Sequence, residues 1–122
     1  MADGDKVVIN LATGLEDAER VTVAFLVANA AANAGKRVTM FLTKEAVRIA
    51  LPGHMVGVAC EGCPPLASLA SDYARARGEL LVCPICFNAR ELNEADLIGS
   101  ARIGGATPLW EWIGDDATVF SY

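Results

Sequence analysis

The sequence predicts a three-layer α/β/α domain around a mainly parallel sheet of about five strands, with residues 1–122 forming a single domain. Three observations carry that expectation. Short apolar runs alternate with helical segments along the whole chain. Most of those runs are apolar on both faces, as strands covered by helices on each side must be. The chain has 122 residues, enough for one sizeable core and too few for two comfortable ones. It contains no internal repeat, low-complexity segment or linker.

The elements follow in order. Lys6 to Leu11 (KVVINL) is a short β-run, and Thr13-Gly14 turns the chain. Glu16, Asp17 and Glu19 then place negative charge where a helix begins and its dipole favours it. That helix runs to about Asn33 and stops at Gly35, a good residue for a helix end. Arg37 to Leu42 is the second strand. Thr43 is expected to cap a short helix over Lys44 to Ala50, which ends before Pro52. Pro52 to Pro65 reads as loop. Leu66 to Arg77 is helical, with Leu66, Leu69, Ala70 and Tyr73 on one face. Glu79 to Val82 is the third strand and Pro84 to Arg90 a helix. Asn93 caps a further helix over Glu94 to Gly99. Ala101 to Ile103 is a strand, Pro108 to Ile113 a helix and Thr118 to Ser121 the closing strand.

Composition narrows the function classes. Net charge is −5, which argues against nucleic acid because neutralising phosphates needs a basic footprint. Apolar residues make up 53% and charged residues 20%, rich for a soluble monomer, so some apolar surface is expected to meet other subunits. The helix from Glu16 to Asn33 supports this with Val21, Val23, Phe25, Leu26, Val27 and seven alanines between Ala18 and Ala34. Trp110 and Trp112 add anchors of the kind enriched at interfaces. Met1 to Asp5 is polar and acidic, unlike the basic start of a signal peptide. The uncharged run from Val21 to Gly35 is shorter than the roughly 20 residues a bilayer span requires. A cytoplasmic setting with no membrane contact is therefore expected.

All four cysteines fall in two couples, Cys60-Glu61-Gly62-Cys63 and Cys83-Pro84-Ile85-Cys86. Nineteen residues separate Cys63 from Cys83, which fits the spacing of four-cysteine zinc sites. In a reducing compartment such couples mean metal or catalysis more often than structural disulfides. Cys83 leaves a strand and enters a helix at Pro84, where the dipole stabilises thiolate. Cys86, one turn further on, is placed to resolve a disulfide or persulfide formed on Cys83. The alternative is a tetrahedral zinc or other metal site built from Cys60, Cys63, Cys83 and Cys86. A third reading is a non-catalytic oligomeric module whose cysteines are buried and inert.

Other candidates are weaker. In open parallel sheets working groups collect at the carboxyl ends of the strands. The Thr13-Gly14 turn and the Gly104-Gly105-Ala106-Thr107 turn both fall there and could offer backbone N–H groups to an anion. Ordinary strand-to-helix turns are the simpler account. His54, the only histidine, reads as a solvated loop residue. Arg90 could offer positive charge to a sulfur anion. The carboxylates are scattered over helix starts and exposed faces, with no readable acid–base pair.

Several stretches together resemble the DsrE/DsrF-like family. They are Gly14 to Arg20, the alanine-rich helix to Gly35, Arg37 to Thr43, the cysteine ending the third strand, Arg90, Asp96 to Ile98, Ala101 to Gly105, and the close at Ser121-Tyr122. The resemblance covers nearly the whole chain. It implies a small parallel α/β fold and a homo-oligomer such as a trimer or hexamer; no cofactor is expected, with zinc as the alternative. It also implies DsrE/TusD-type sulfur relay, with persulfide carried on the cysteine after the third strand and passed between donor and acceptor proteins. Cys83 matches that cysteine and Arg90 the arginine after it. The family cysteine is commonly single, so Cys86 and the Cys60/Cys63 couple depart from the pattern. Whether the chain is an enzyme, a sulfurtransferase or a carrier stays open at this point.

Overall fold

A computed structural model describes residues 5–122; of the acidic opening read at Met1 to Asp5, all but Asp5 lies outside the described residues. The strands are β1 (Lys6–Leu11), β2 (Arg37–Leu42), β3 (Glu79–Val82), β4 (Ala101–Ile103) and β5 (Thr118–Ser121). They form one sheet in the order β4-β3-β2-β1-β5, and every neighbouring pair is parallel. The α-helices are α1 (Ala18–Asn33), α2 (Leu66–Arg75), α3 (Pro84–Ala89) and α4 (Ala106–Ile113).

Strand periodicity divides the sheet into two faces. Val7, Ile9 and Leu11 of β1, Val38, Met40 and Leu42 of β2, and Leu80 and Val82 of β3 point to one side. There they pack with Val21 and Phe25 of α1 and Leu66 and Tyr73 of α2 in the main core. The ring of Phe25 meets that of Tyr73 edge-on at 5.8 Å. Tyr73 hydrogen-bonds the Glu79 carbonyl at 2.6 Å, and burial pushes its hydroxyl pKa far above the usual value. Val8, Thr39 and Leu81 are buried on the opposite side. There Trp112 Nε1 of α4 donates to Glu79 Oε2 at 2.9 Å, and Thr39 Oγ1 donates to the same oxygen at 3.2 Å.

The strand order explains why the second layer is thin. β4 and β5 lie at opposite edges, so the segment carrying α4 has to cross the sheet. That one eight-residue helix has no fully buried residue, and β5 is exposed throughout. Trp112 is half-buried, flanked by Lys6 at 5.7 Å and Arg37 at 5.6 Å from its ring centre, whereas Trp110 is 70% exposed. Among the described residues no helix is long and apolar enough to cross a membrane.

The expected elements are all present, with shifted ends. The first helix opens as a 3₁₀ turn over Leu15–Asp17, and Asp17 caps α1 by accepting from the Arg20 N–H. Lys44–Ala50 is 3₁₀ rather than α, and the Thr43 side chain makes no capping bond; Ala46 N–H bonds the Thr43 carbonyl instead. α2 stops at Arg75 because Arg77, at φ +67, turns the chain left-handed and lets Gly78 N–H close on the Tyr73 carbonyl. Asn93 does cap, through its Oδ1 on Ala95 N–H, but only a single turn over Glu94–Asp96 follows. α4 begins at Ala106, two residues before Pro108.

Candidate functional site at the carboxyl end of the sheet

Register defines where this site lies. Leu11, Leu42, Val82 and Ile103 form the last row of paired strand residues. Backbone bonds then run one residue further. Thr43 N–H reaches the Leu11 carbonyl, Cys83 N–H the Leu42 carbonyl and Gly104 N–H the Val82 carbonyl, each at 3.0 Å. Cys83 is therefore held at the carboxyl end of β3, between the exits of β2 and β4.

Cys83 is the N-cap residue of α3, with Pro84 at the first helical position, where a missing N–H costs nothing. Its carbonyl accepts from Phe87 N–H at 3.0 Å, and Phe87 is 1% exposed in the main core. The backbone of Cys83 is thus fixed from both sides. Its thiol and that of Cys86 are free and half-buried, and Cys86 also touches the core. Ile85 between them is 79% exposed, so the couple sits at the protein surface.

The turns singled out in the sequence come to this end but do different things. At Gly105 an added Cβ would rest 3.6 Å from Pro84 Cδ, so the β4–α4 turn lies against the cysteine turn. At Gly14 an added Cβ would fall 2.6 Å from the Glu45 carbonyl oxygen, so only glycine allows this approach. The Gly14 N–H is occupied by the chain's own Glu16 Oε1 at 2.8 Å.

Arg90 is not a solvated arginine. Its Nε donates to Glu45 Oε2 at 2.5 Å and its Nη1 to the Cys86 carbonyl at 3.1 Å. Glu45 Oε1 accepts from Arg48 Nε at 3.0 Å. Arg90 first and Arg48 second hold the Glu45 carboxyl below the usual carboxylate range. A depressed carboxylate contributes stability at neutral pH that is lost as pH falls through its folded-state value. Glu45 is the residue that reading the sequence missed. Its i,i+3 pairing with Arg48 on a helical segment was visible, but its link to Arg90 spans 45 residues.

The first cysteine couple stands differently. Cys60 and Cys63 are joined in a disulfide, with Cα atoms 5.1 Å apart. Cys63 N–H bonds the Cys60 carbonyl at 2.9 Å, and Gly62 takes φ +78, which makes this a tight turn needing glycine at its third position. Cys60 Sγ lies 3.7 Å from Thr22 Oγ1 of α1. The described residues hold no group of three or more His, Cys, Asp or Glu side chains that could bind a metal ion, so the four cysteines do not form the tetrahedral site that their spacing allows. His54 is exposed on the preceding loop.

A parallel five-stranded α/β protein with a free thiol couple where its third strand ends is the class that fold and site define. The chain belongs to the DsrE/DsrF-like family, whose model matches residues 5–122. An uncharacterised protein of Methanocaldococcus jannaschii is 28% identical over 102 residues, which is 84% of this chain. The chain spans only 37% of that relative's length. The crystal structure of the ychN protein from E. coli matches with a TM-score of 0.74 at 18% identity. That match covers 94% of this chain and 97% of the other, a likeness of fold.

Proposed function

We propose that the chain accepts persulfide sulfur on Cys83 and passes it on, with Cys86 as the resolving thiol and Arg90 as the neighbouring positive charge. The observation that carries this is the free, half-buried Cys83 thiol fixed at the carboxyl end of β3, with Cys86 one turn away. Family membership points the same way.

The chemistry balances without an outside oxidant. The Cys83 thiolate attacks the outer sulfur of a donor persulfide. The bond from Cys83 to that sulfur forms, the donor's sulfur–sulfur bond breaks, and the donor leaves as thiolate and takes up a proton. An acceptor thiolate repeats the exchange and restores Cys83. If none arrives, the Cys86 thiolate attacks the Cys83 sulfur. Hydrosulfide then leaves, and the two thiols are oxidised to a disulfide as the carried sulfur is reduced.

The same reading places the chain in the cytoplasm as a homo-oligomer that exchanges sulfur with donor and acceptor proteins. Apolar groups left open to solvent support the assembly, among them Val23, Leu26, Trp110, Val119 and Phe120. Treatment with a small-molecule persulfide donor tests the sulfur step by intact mass. The parent gains one sulfur atom, Cys83→Ser gains none while remaining folded, and Cys86→Ser retains the adduct longest. Equal labelling of Cys83→Ser and the parent overturns the assignment.

A further inference from the structure

The ion pair between Arg90 and Glu45 differs from the other ion pairs among the described residues. Arg90's side chain is 23% exposed, whereas the cations of the other pairs are 36–74% exposed. It joins two separate elements, the 3₁₀ helix Lys44–Ala50 and the end of α3, while three of the other four pairs are i,i+3 contacts within one turn. Exposed i,i+3 pairs contribute little. A partly buried pair bridging two crossovers constrains both.

Glu45 is itself held unusually firmly. The close approach of Gly14 wedges its backbone against the exit of β1. The preceding Lys44 has φ +53, a left-handed conformation that non-glycine residues adopt at a cost. Strained backbone of this kind persists where the surrounding structure enforces it and is enriched at functional sites. Segments that follow β1, β2 and β3 thus meet at Glu45, Gly14 against its backbone and Arg90 on its carboxylate. Beyond it, the guanidinium of Arg90 reaches the carbonyl of Cys86.

We propose that Glu45 is a positioning residue for the thiol couple: it holds Arg90 beside the Cys86 turn and moderates the positive charge that the thiols experience. This rests on the sulfur-relay reading for its purpose and on geometry for its mechanism. With Glu45 ionised, the guanidinium is shared between the carboxylate and the α3 carbonyl. A sulfur anion formed on the couple adds a negative charge beside the Cys86 carbonyl that Arg90 already reaches. Glu45 therefore sets how much charge Arg90 gives to sulfur before that anion exists. The other charges on the elements meeting here are Lys44 and Arg48 beside it and Glu16 and Asp17 on the β1 exit. Of these, Arg48 already pairs with Glu45, Glu16 caps Gly14, and Asp17 caps α1.

The test is the pH profile of iodoacetamide alkylation at Cys83 and Cys86, read by peptide mass on the full chain with no sulfur donor present. Glu45→Gln should move the midpoint to lower pH by about half a unit, roughly a threefold faster reaction below the midpoint, because Arg90 loses its competing anion. Arg90→Gln should move it upward. In the Arg90→Gln background the Glu45 substitution should have much less effect. Glu45→Asp, which keeps the charge on a shorter reach, should shift the profile less than Gln and carries the test if the Gln variant is unfolded. A merely structural role would lower the melting temperature and leave the midpoint unmoved. An unmoved midpoint, or a shift undiminished without Arg90, overturns the proposal. Because no sulfur is transferred in this assay, its outcome is separate from that of persulfide loading.

Discussion

The two Cys-x-x-Cys couples share a spacing and differ in what lies beneath them. Cys83-Cys86 continues a strand whose last residues, Leu81 and Val82, are fully buried, and it feeds a helix pinned by Phe87. Cys60-Cys63 sits in the long connection before α2, where Gly53, Gly57 and Gly62 take positive φ and an added Cβ would meet no atom within 4 Å. Cys83 and Cys86 are free thiols, while Cys60 and Cys63 are joined to each other across a tight turn. Spacing alone therefore does not assign chemistry to a cysteine couple. The core under it, and the charges its neighbours bring, decide whether a thiol is presented or tied off.

That contrast can be attacked from each side. The larger effect is expected at the strand-borne couple. Phe87→Ala removes the fully buried ring that anchors α3 beneath the couple, while keeping the backbone N–H that holds the Cys83 carbonyl, and should cost about 3–4 kcal/mol by denaturant unfolding. Loss of that anchor should also even out the reactivities of Cys83 and Cys86. A small loss with unchanged thiol selectivity would mean that the core does not present the couple.

The smaller effect belongs to the loop-borne couple. Replacing Cys60 and Cys63 together by serine opens a very short loop, so the chain-entropy model gives a loss of about 2 kcal/mol or less. The substitutions should leave the reactivity of Cys83 and Cys86 unchanged, because the four cysteines form no common metal-binding group. A change in Cys83 alkylation on removing Cys60 and Cys63 would show that the two are linked after all.

The framework was legible in the sequence because its strands are short apolar runs bounded by glycine, proline and charge. β1, β2, β3, β4 and β5 fall where those runs lie. Helix ends were less legible. Arg77 and Glu91 take the left-handed positions that glycine usually marks, so α2 and α3 end earlier than residue type suggests. The position of Cys83 followed from its place at a strand end. Two features did not follow. The bond from Cys60 to Cys63 depends on a turn that also fits metal ligation at the level of spacing. The Arg90–Glu45 link depends on β2 and β3 being neighbours in the sheet, a tertiary fact that no local pattern carries.

The central claim is that sulfur enters at Cys83 and nowhere else. Brief exposure of the parent protein to a persulfide donor, followed by blocking and peptide mapping, locates the first sulfur added among the four cysteines. The account places it on the peptide at Cys83, with the peptide holding Cys60 and Cys63 unlabelled. First labelling at Cys60 or Cys63, or sulfur spread evenly over the cysteines, would contradict it.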